Sequence, residues 1–305
     1  MQQAYLDVCG IPTKVITYGK WVEESFDKDE PRDIVLCIPG NPGVTKFYCK
    51  FMQTLHERLG YPVWIVGHAG HERPKNNIYR KLPELTGNER LYGLQGQIVH
   101  KYSFIEKYVP QNARIHLIGH SIGAYIILEL LKDPKISSRV VRNYLLFPTI
   151  EDMAEAPNGK FLTRFVCYIV WLLVFLSWIF TFLPSLLQSL LIRIYTTYYS
   201  VPSMHLETII DFIEPNNLRS IFHMALDEMD VVKERNNDII VKHKDKIKLY
   251  YGATDRWAPQ RFYRRLKHDI PDIDAQVCKR NFEHAFVLRF SEEVGNMVSD
   301  WIRNN

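Results

Sequence analysis

The chain has 305 residues, of which 47% are hydrophobic and 24% charged, with 38 Lys and Arg against 34 Asp and Glu for a net charge of +4. That length suits one large domain carrying an insertion, and the near-balanced charge, with no basic block interleaved with aromatics, speaks against nucleic-acid binding. Cys9, Cys37, Cys49, Cys167 and Cys278 are scattered and show no C-x-x-C spacing; with no signal-peptide pattern and no N-x-S/T acceptor, they predict reduced thiols in a cytosol-facing protein.

In chain order, two β-prone runs, Ala4 to Cys9 and Lys14 to Tyr18, flank Gly10-Ile11-Pro12 and predict a hairpin. Asp33 to Ile38 predicts a buried strand, Lys46 to Leu59 a helix, Pro62 to Val66 a strand and Leu94 to Tyr108 a helix. A strand from Ala113 to Ile118 then runs into Gly119-His120-Ser121-Ile122-Gly123 and an apolar helix from Ala124 to Leu131. This strand–turn–helix frame is a nucleophile elbow: the serine takes a strained backbone conformation at a sharp turn, and glycines stand where a Cβ would collide with neighbouring backbone. The turn lifts the Ser121 hydroxyl clear of the sheet and points the free N–H groups of the next helix at any oxyanion formed beside it. Val140 to Phe147 predicts the next strand. Strand, helix and strand alternation of this kind implies a mostly parallel sheet with helices on both faces.

Residues 151–242 interrupt the alternation, and they divide the chain into a first core segment, 1–150, an insertion, and a second core segment, 243–305. No residue from Phe165 through Ile192 carries a formal charge. Phe165 to Leu183 as a helix is roughly 28 Å long, enough to match the hydrocarbon thickness of a bilayer. Pro184 breaks it, and Ser185 to Tyr199 admits Gln188, Arg193, threonines and tyrosines, as in a helix lying at an interface. A buried cap helix is the plain alternative, but it calls for a polar stripe that Phe165 to Leu183 lacks. A single crossing is excluded by the chemistry, because it would part Ser121 from everything after residue 192. Lys160, Arg164 and Arg193 flank the segment at both ends. The expectation is a hydrophobic hairpin, residues 165–199, that enters and leaves the membrane from the cytosolic side.

Beyond the insertion, the strand Lys246 to Tyr251 ends in Gly252-Ala-Thr-Asp255 and a helix from Ala258 to His268; a strand from Ala275 to Arg280 and a helix from Ser291 to Ile302 close the chain. A serine hydroxyl needs a base to take its proton, and the base needs an acid to hold its tautomer. After an elbow the acid and the base follow in that order, which selects Asp255 and then His284, the histidine between the last strand and the last helix. A helix N-cap is a role Asp255 can share. His116 reads as a core histidine and His120 as structural or pocket-lining. One oxyanion donor is the N–H of Ile122; the other comes from the loop Pro39-Gly-Asn-Pro-Gly43, where Pro42 has none to give and Asn41 is the natural choice. The loop Gly67-His68-Ala-Gly70-His71 falls near the pocket rim, and its spacing does not match a metal motif, so neither metal nor cofactor is expected.

The motifs Pro39-Gly-Asn-Pro-Gly43, Gly67-His-Ala-Gly-His71, Gly119-His-Ser-Ile-Gly-Ala-Tyr125, Phe147-Pro-Thr-Ile-Glu-Asp-Met153 with Pro157-Asn-Gly159, and the apolar insertion before Gly252-Ala-Thr-Asp255 together resemble the lipid droplet-associated hydrolases, a branch of the α/β-hydrolase superfamily. The resemblance spans nearly the whole chain. It implies an α/β-hydrolase fold and a serine lipid hydrolase on lipid droplets and the endoplasmic reticulum, linked to cholesterol ester and neutral lipid turnover, with Ser121 as nucleophile, Asp255 as acid and His284 as base. Many hydrolases of this fold carry His-Gly where this chain has Pro39-Gly40. The expected partners are a lipid ester and the droplet or reticulum surface. Two alternatives use the same residues: a droplet tether with vestigial turnover, and an acyltransferase.

Overall fold

In the segment Asp33–Ile38 every side chain is apolar or paired, and every one is buried. Ile34, Leu36 and Ile38 pack into one core while Val35 and Cys37 pack into another, as the two-residue period of a strand covered on both faces requires. The computed structural model describes residues 1–25, 33–74 and 82–304.

Eight strands form one sheet: β1 (Gln2–Val8), β2 (Ile11–Tyr18), β3 (Asp33–Ile38), β4 (Val63–Val66), β5 (Arg114–His120), β6 (Val140–Leu146), β7 (Ile247–Tyr251) and β8 (Asp274–Val277), in the spatial order β1-β2-β4-β3-β5-β6-β7-β8. β2 runs antiparallel to both β1 and β4, and every pairing from β4 to β8 is parallel. The mostly parallel, doubly covered sheet expected from the sequence is present. The N-terminal hairpin turns one step earlier than expected. Cys9 and Gly10 both take positive φ, 54° and 77°, and Val8 pairs with Ile11, so Pro12 lies inside β2. Two central residues at positive φ make the tight turn whose twist matches that of paired strands.

The helices α1 (Cys49–Leu59), α2 (Leu94–Tyr108) and α3 (Ile122–Leu130) follow β3, β4 and β5. One core gathers α2 and α3 against the sheet, with Leu94, Phe104, Ile126 and Ile127; the other gathers Phe51, Met52 and Leu55 of α1 with Val294, Val298 and Ile302 of the closing helix.

Between β6 and β7 lies the insertion. Its first helix is longer than predicted, running from Pro157 to Thr181 with a π turn at Leu162–Val166 before α4 (Cys167–Thr181). It starts early because Pro157 sits in the first turn, where a missing N–H costs nothing. Pro184 ends the bend and caps α5 (Ser185–Tyr198). Further helices follow at Leu206–Phe212, Pro215–Val231 (α6) and Asn237–Lys242. The signals for α6 are Pro215 in the first turn, Leu218, Ile221 and Met224 at helical spacing, and a Glu214 side chain that accepts the Asn217 N–H at 2.9 Å.

Only 17% of the most apolar window of Pro157–Thr181 is buried, and by length and composition this helix is able to cross a bilayer. Its seat on the protein is a narrow seam: Val174 and Ser177 of α4 and Ile192 and Thr196 of α5 are buried, and the Ser177 hydroxyl donates to the Ile213 carbonyl. Outside the seam, Trp171 is 69% exposed and Leu186 85%.

Candidate active site

β5 delivers His120 to the sheet edge, and Ser121 follows at φ 55°, ψ −122° before α3 begins. A residue with a Cβ is strained there, by about 1–3 kcal/mol, so its neighbours must hold it. The Ser121 N–H donates to the Leu146 carbonyl at 3.0 Å, and the Ser121 carbonyl accepts from Ala124 at 3.0 Å and Thr149 at 3.3 Å. The flanking glycines answer to close approach. A Cβ on Gly123 would sit 2.2 Å from the Ile38 carbonyl oxygen, and one on Gly119 would sit 2.8 Å from the Ala124 nitrogen.

Three residues far apart in sequence meet at this edge. His284 Nε2 lies 2.9 Å from Ser121 Oγ, and His284 Nδ1 lies 2.7 Å from Asp255 Oδ2. The carboxylate only accepts, so Nδ1 carries the hydrogen and Nε2 is left to take the serine proton. The other Asp255 oxygen accepts the N–H groups of Trp257 at 2.7 Å and Ala258 at 3.0 Å, so the residue also caps the turn behind it. Burial by itself raises the Asp255 pKa, but the facing imidazole of His284 and the two backbone N–H groups outweigh it and leave the carboxyl below its ordinary value. It is therefore an anion at neutral pH.

The loop 39–43 passes beside the serine: a Cβ on Gly40 would stand 2.9 Å from Ser121 Cβ. Among the described residues the backbone N–H groups of Asn41 and Ile122 donate to no protein acceptor. The Asn41–Pro42 bond is cis. Side chains brace this loop from several sides. The Gly40 N–H donates to the Tyr48 hydroxyl at 2.9 Å, His68 Nε2 meets the Pro39 carbonyl at 3.1 Å, and His71 Nδ1 meets the Pro42 carbonyl at 2.7 Å. The Asn41 side-chain amide donates to the Ile221 carbonyl at 3.1 Å and to Glu228 Oε1 at 3.0 Å, both on α6. Burial lowers the pKa of His68 well below its ordinary value and that of His71 to about 4, so both brace as neutral rings. The sequence placed these two histidines near the rim; they are buried behind the loop.

A further strand of hydrogen bonds joins this loop to the base. His120 Nε2 lies 2.8 Å from the His284 carbonyl and its Nδ1 lies 2.6 Å from the Tyr48 hydroxyl. A carbonyl only accepts, so Nε2 holds the ring hydrogen, Nδ1 accepts, and the Tyr48 O–H must donate to it. Burial, with His284 nearby, pushes the His120 pKa down to about 3 and keeps the ring neutral. Phe147, at φ 50°, and Phe286 pack around these rings, with centroids 6.0 Å from His284 and 5.0 Å from His120 respectively.

Comparison with known proteins places the chain in a family. The model of the lipid-droplet associated hydrolase family matches residues 31–287. The chain belongs to the lipid-droplet associated hydrolase family. It is 44% identical over 308 residues to the lipid droplet-associated hydrolase of Drosophila melanogaster, covering 100% of this chain and 99% of that one. It is 37% identical to the Mus musculus protein of the same name, over 97% and 93% of the two chains. Among solved structures, a bromoperoxidase from Bacillus anthracis superposes with a TM-score of 0.66 at 15% identity, over 99% of this chain and 100% of that one. At that identity the likeness shows the α/β-hydrolase fold alone.

For this member of the lipid-droplet associated hydrolase family, sequence reasoning named Ser121, Asp255, His284, Asn41 and Ile122, and the fold gathers all of them at one edge of the sheet. It missed Tyr48 and Glu228. Tyr48 carries no local signal, since its partners are 8 and 72 residues away. Glu228 falls on the apolar face that Ile221 and Met224 set along α6, and a lone carboxyl on such a face is a readable sign of a buried partner. Among the described residues no group of three or more His, Cys, Asp or Glu is arranged to hold a metal ion.

Proposed function

We propose that this hydrolase cleaves a carboxylic ester of a neutral lipid, a cholesteryl ester being one such substrate, at the surface of lipid droplets. The observation that carries the reading is the hydrogen-bonded series Ser121 Oγ, His284, Asp255, at 2.9 and 2.7 Å, on a strained elbow. Ser121 attacks the ester carbonyl while His284 Nε2 takes its proton, and Asp255 holds the ring and stabilises the imidazolium that forms. The Asn41 and Ile122 N–H groups receive the oxyanion. The imidazolium then gives its proton to the departing alcohol, an acyl-enzyme remains on Ser121, and His284 draws a proton from water to release it.

The insertion, residues 151–242, supplies the address. Its apolar hairpin faces away from the protein, and each large side chain buried in lipid contributes about 1.5–3 kcal/mol. A hairpin suits a droplet, whose phospholipid monolayer has no aqueous far side, and it suits the cytosolic leaflet of the endoplasmic reticulum equally well. The relatives' names associate them with droplets, which supports this placement. The test is labelling with a fluorophosphonate probe, wild type against Ser121→Ala, followed by a lipid-ester screen on the labelled enzyme. An unlabelled wild type, or equal labelling of both proteins, overturns the catalytic reading and favours a droplet tether.

A further inference from the structure

Helix α6 belongs to the insertion, yet it touches the loop beside the nucleophile. Its Ile221 carbonyl and Glu228 carboxyl take both hydrogens of the Asn41 side-chain amide, at 3.1 and 3.0 Å. The helix itself is fixed. Asp227 accepts the Leu94 N–H at 2.6 Å, Met224 is fully buried in the core, and the outer side of α6 packs against α4 of the apolar hairpin. Glu228 is 3% exposed, and a carboxyl costs too much to bury as filler where a leucine would serve. Burial pushes its pKa up to about 8, so at neutral pH it is an uncharged acid whose carbonyl oxygen accepts from Asn41 without a buried charge.

We propose that Glu228 is a positioning residue for the reaction: it clamps the Asn41 side chain so that the Asn41 main-chain N–H stays aimed at the oxyanion beside Ser121. This rests on the reading of Asn41 as an oxyanion donor. The clamp links the apolar hairpin to the loop beside the reacting atoms, through α4, α6 and one amide. Without this clamp the site keeps its nucleophile and base and loses the alignment of one donor. Removing a whole oxyanion donor costs about 10²–10³-fold, and a donor that is loosened but present costs less.

The experiment measures the rate of fluorophosphonate labelling of full-length protein, and kcat and KM on a soluble short-chain ester, for wild type, Glu228→Gln, Glu228→Ala, Asn41→Ala and the double variant Asn41→Ala/Glu228→Ala. Glu228→Ala and Asn41→Ala are expected to label about tenfold more slowly, with kcat reduced and KM unchanged. Glu228→Gln keeps an acceptor of the same shape and restores the wild-type rate within about twofold. The double variant falls no further than either single one, because both remove the same contact. Asn41→Ala retains its main-chain N–H and lies in a half-buried loop, so it decides the matter even if Glu228→Ala fails to fold. Wild-type labelling by Asn41→Ala, or additive losses in the double variant, overturns the clamp. Loss of the clamp leaves the catalytic reading standing, whereas a wild type that is not labelled at Ser121 removes that reading first.

Discussion

At the sheet edge around Ser121 the triad side chains and the loop 39–43 are held by hydrogen bonds of 3.1 Å or less, whereas along the hairpin large apolar side chains face outward. The first region is complete by itself; the second is half of an interface. Globular proteins rarely leave such a patch exposed, and on the proposed reading its missing half is a lipid surface. On that reading catalysis and location are carried by different residues of one chain, and each ought to be removable without the other.

The largest effect expected is at the serine. Ser121→Ala should lower ester turnover by on the order of 10³-fold or more and abolish fluorophosphonate labelling. Its co-flotation with droplets should match wild type. A variant that also leaves the droplet fraction would show that the two regions are not independent.

Next comes the hairpin. Trp171→Asp together with Leu186→Asp places a charge at an exposed position on each limb of the hairpin, where an acidic side chain at full hydrocarbon depth costs about 2.5–3.5 kcal/mol. The droplet-bound fraction in a flotation assay should fall at least tenfold, with hydrolysis of a soluble ester kept. Droplet binding that survives both charges would sink the anchor.

How much of this was legible in the sequence follows from range. The elbow is local: strand, Gly119, Ser121, Gly123 and helix lie within one short stretch, so their geometry can be read directly. Asp255 and His284 are distant from Ser121 but come at the ends of successive strands, and chain order on a parallel sheet places strand ends together. The braces of the 39–43 loop obey no such rule. His68 and His71 look like rim residues because a loop after a strand is polar in general; only the packed fold shows that their N–H groups are consumed by Pro39 and Pro42. The start of the first insertion helix was hidden for a similar reason. Lys160 and Arg164 look like the end of a polar segment, yet Pro157 begins the helix before them.

A smaller effect separates the clamp from the core by pH. The Glu228 pKa rises from 4.5 in a free chain to about 8 in the fold. Between those values the unfolded chain gives up a proton that the folded chain keeps, so stability falls as pH rises and levels off above about 8. Glu228→Gln cannot ionise, so its Tm relative to wild type should climb across that window by several degrees. The acid side behaves oppositely. Asp255, held below its ordinary 3.8, contributes fully above that value and loses its contribution as pH falls through the folded pKa, in both proteins alike. A constant Tm difference between the two proteins from pH 4.5 to 8 would show that Glu228 is already ionised in the fold.

The smallest kinetic effect concerns Tyr48, which braces the edge around Ser121 without meeting the reacting atoms. Its hydroxyl accepts from Gly40 and donates to His120, whose other nitrogen holds the main chain of His284. Tyr48→Phe keeps the ring and its packing and removes only that oxygen, leaving a buried N–H and a buried ring nitrogen unpaired at about 1–3 kcal/mol each in stability. Stability alone would lower Tm and leave the kinetics of the folded fraction intact. A strut predicts more: labelling of the folded enzyme slows about fivefold, because both the oxyanion loop and the base lose one support. Hairpin-dependent flotation stays the same, since the partners of the lost hydroxyl are Gly40 and His120 and not hairpin residues. Labelling per folded molecule at the wild-type rate would reduce Tyr48 to a core residue and leave His284 positioned by Asp255 and aromatic packing.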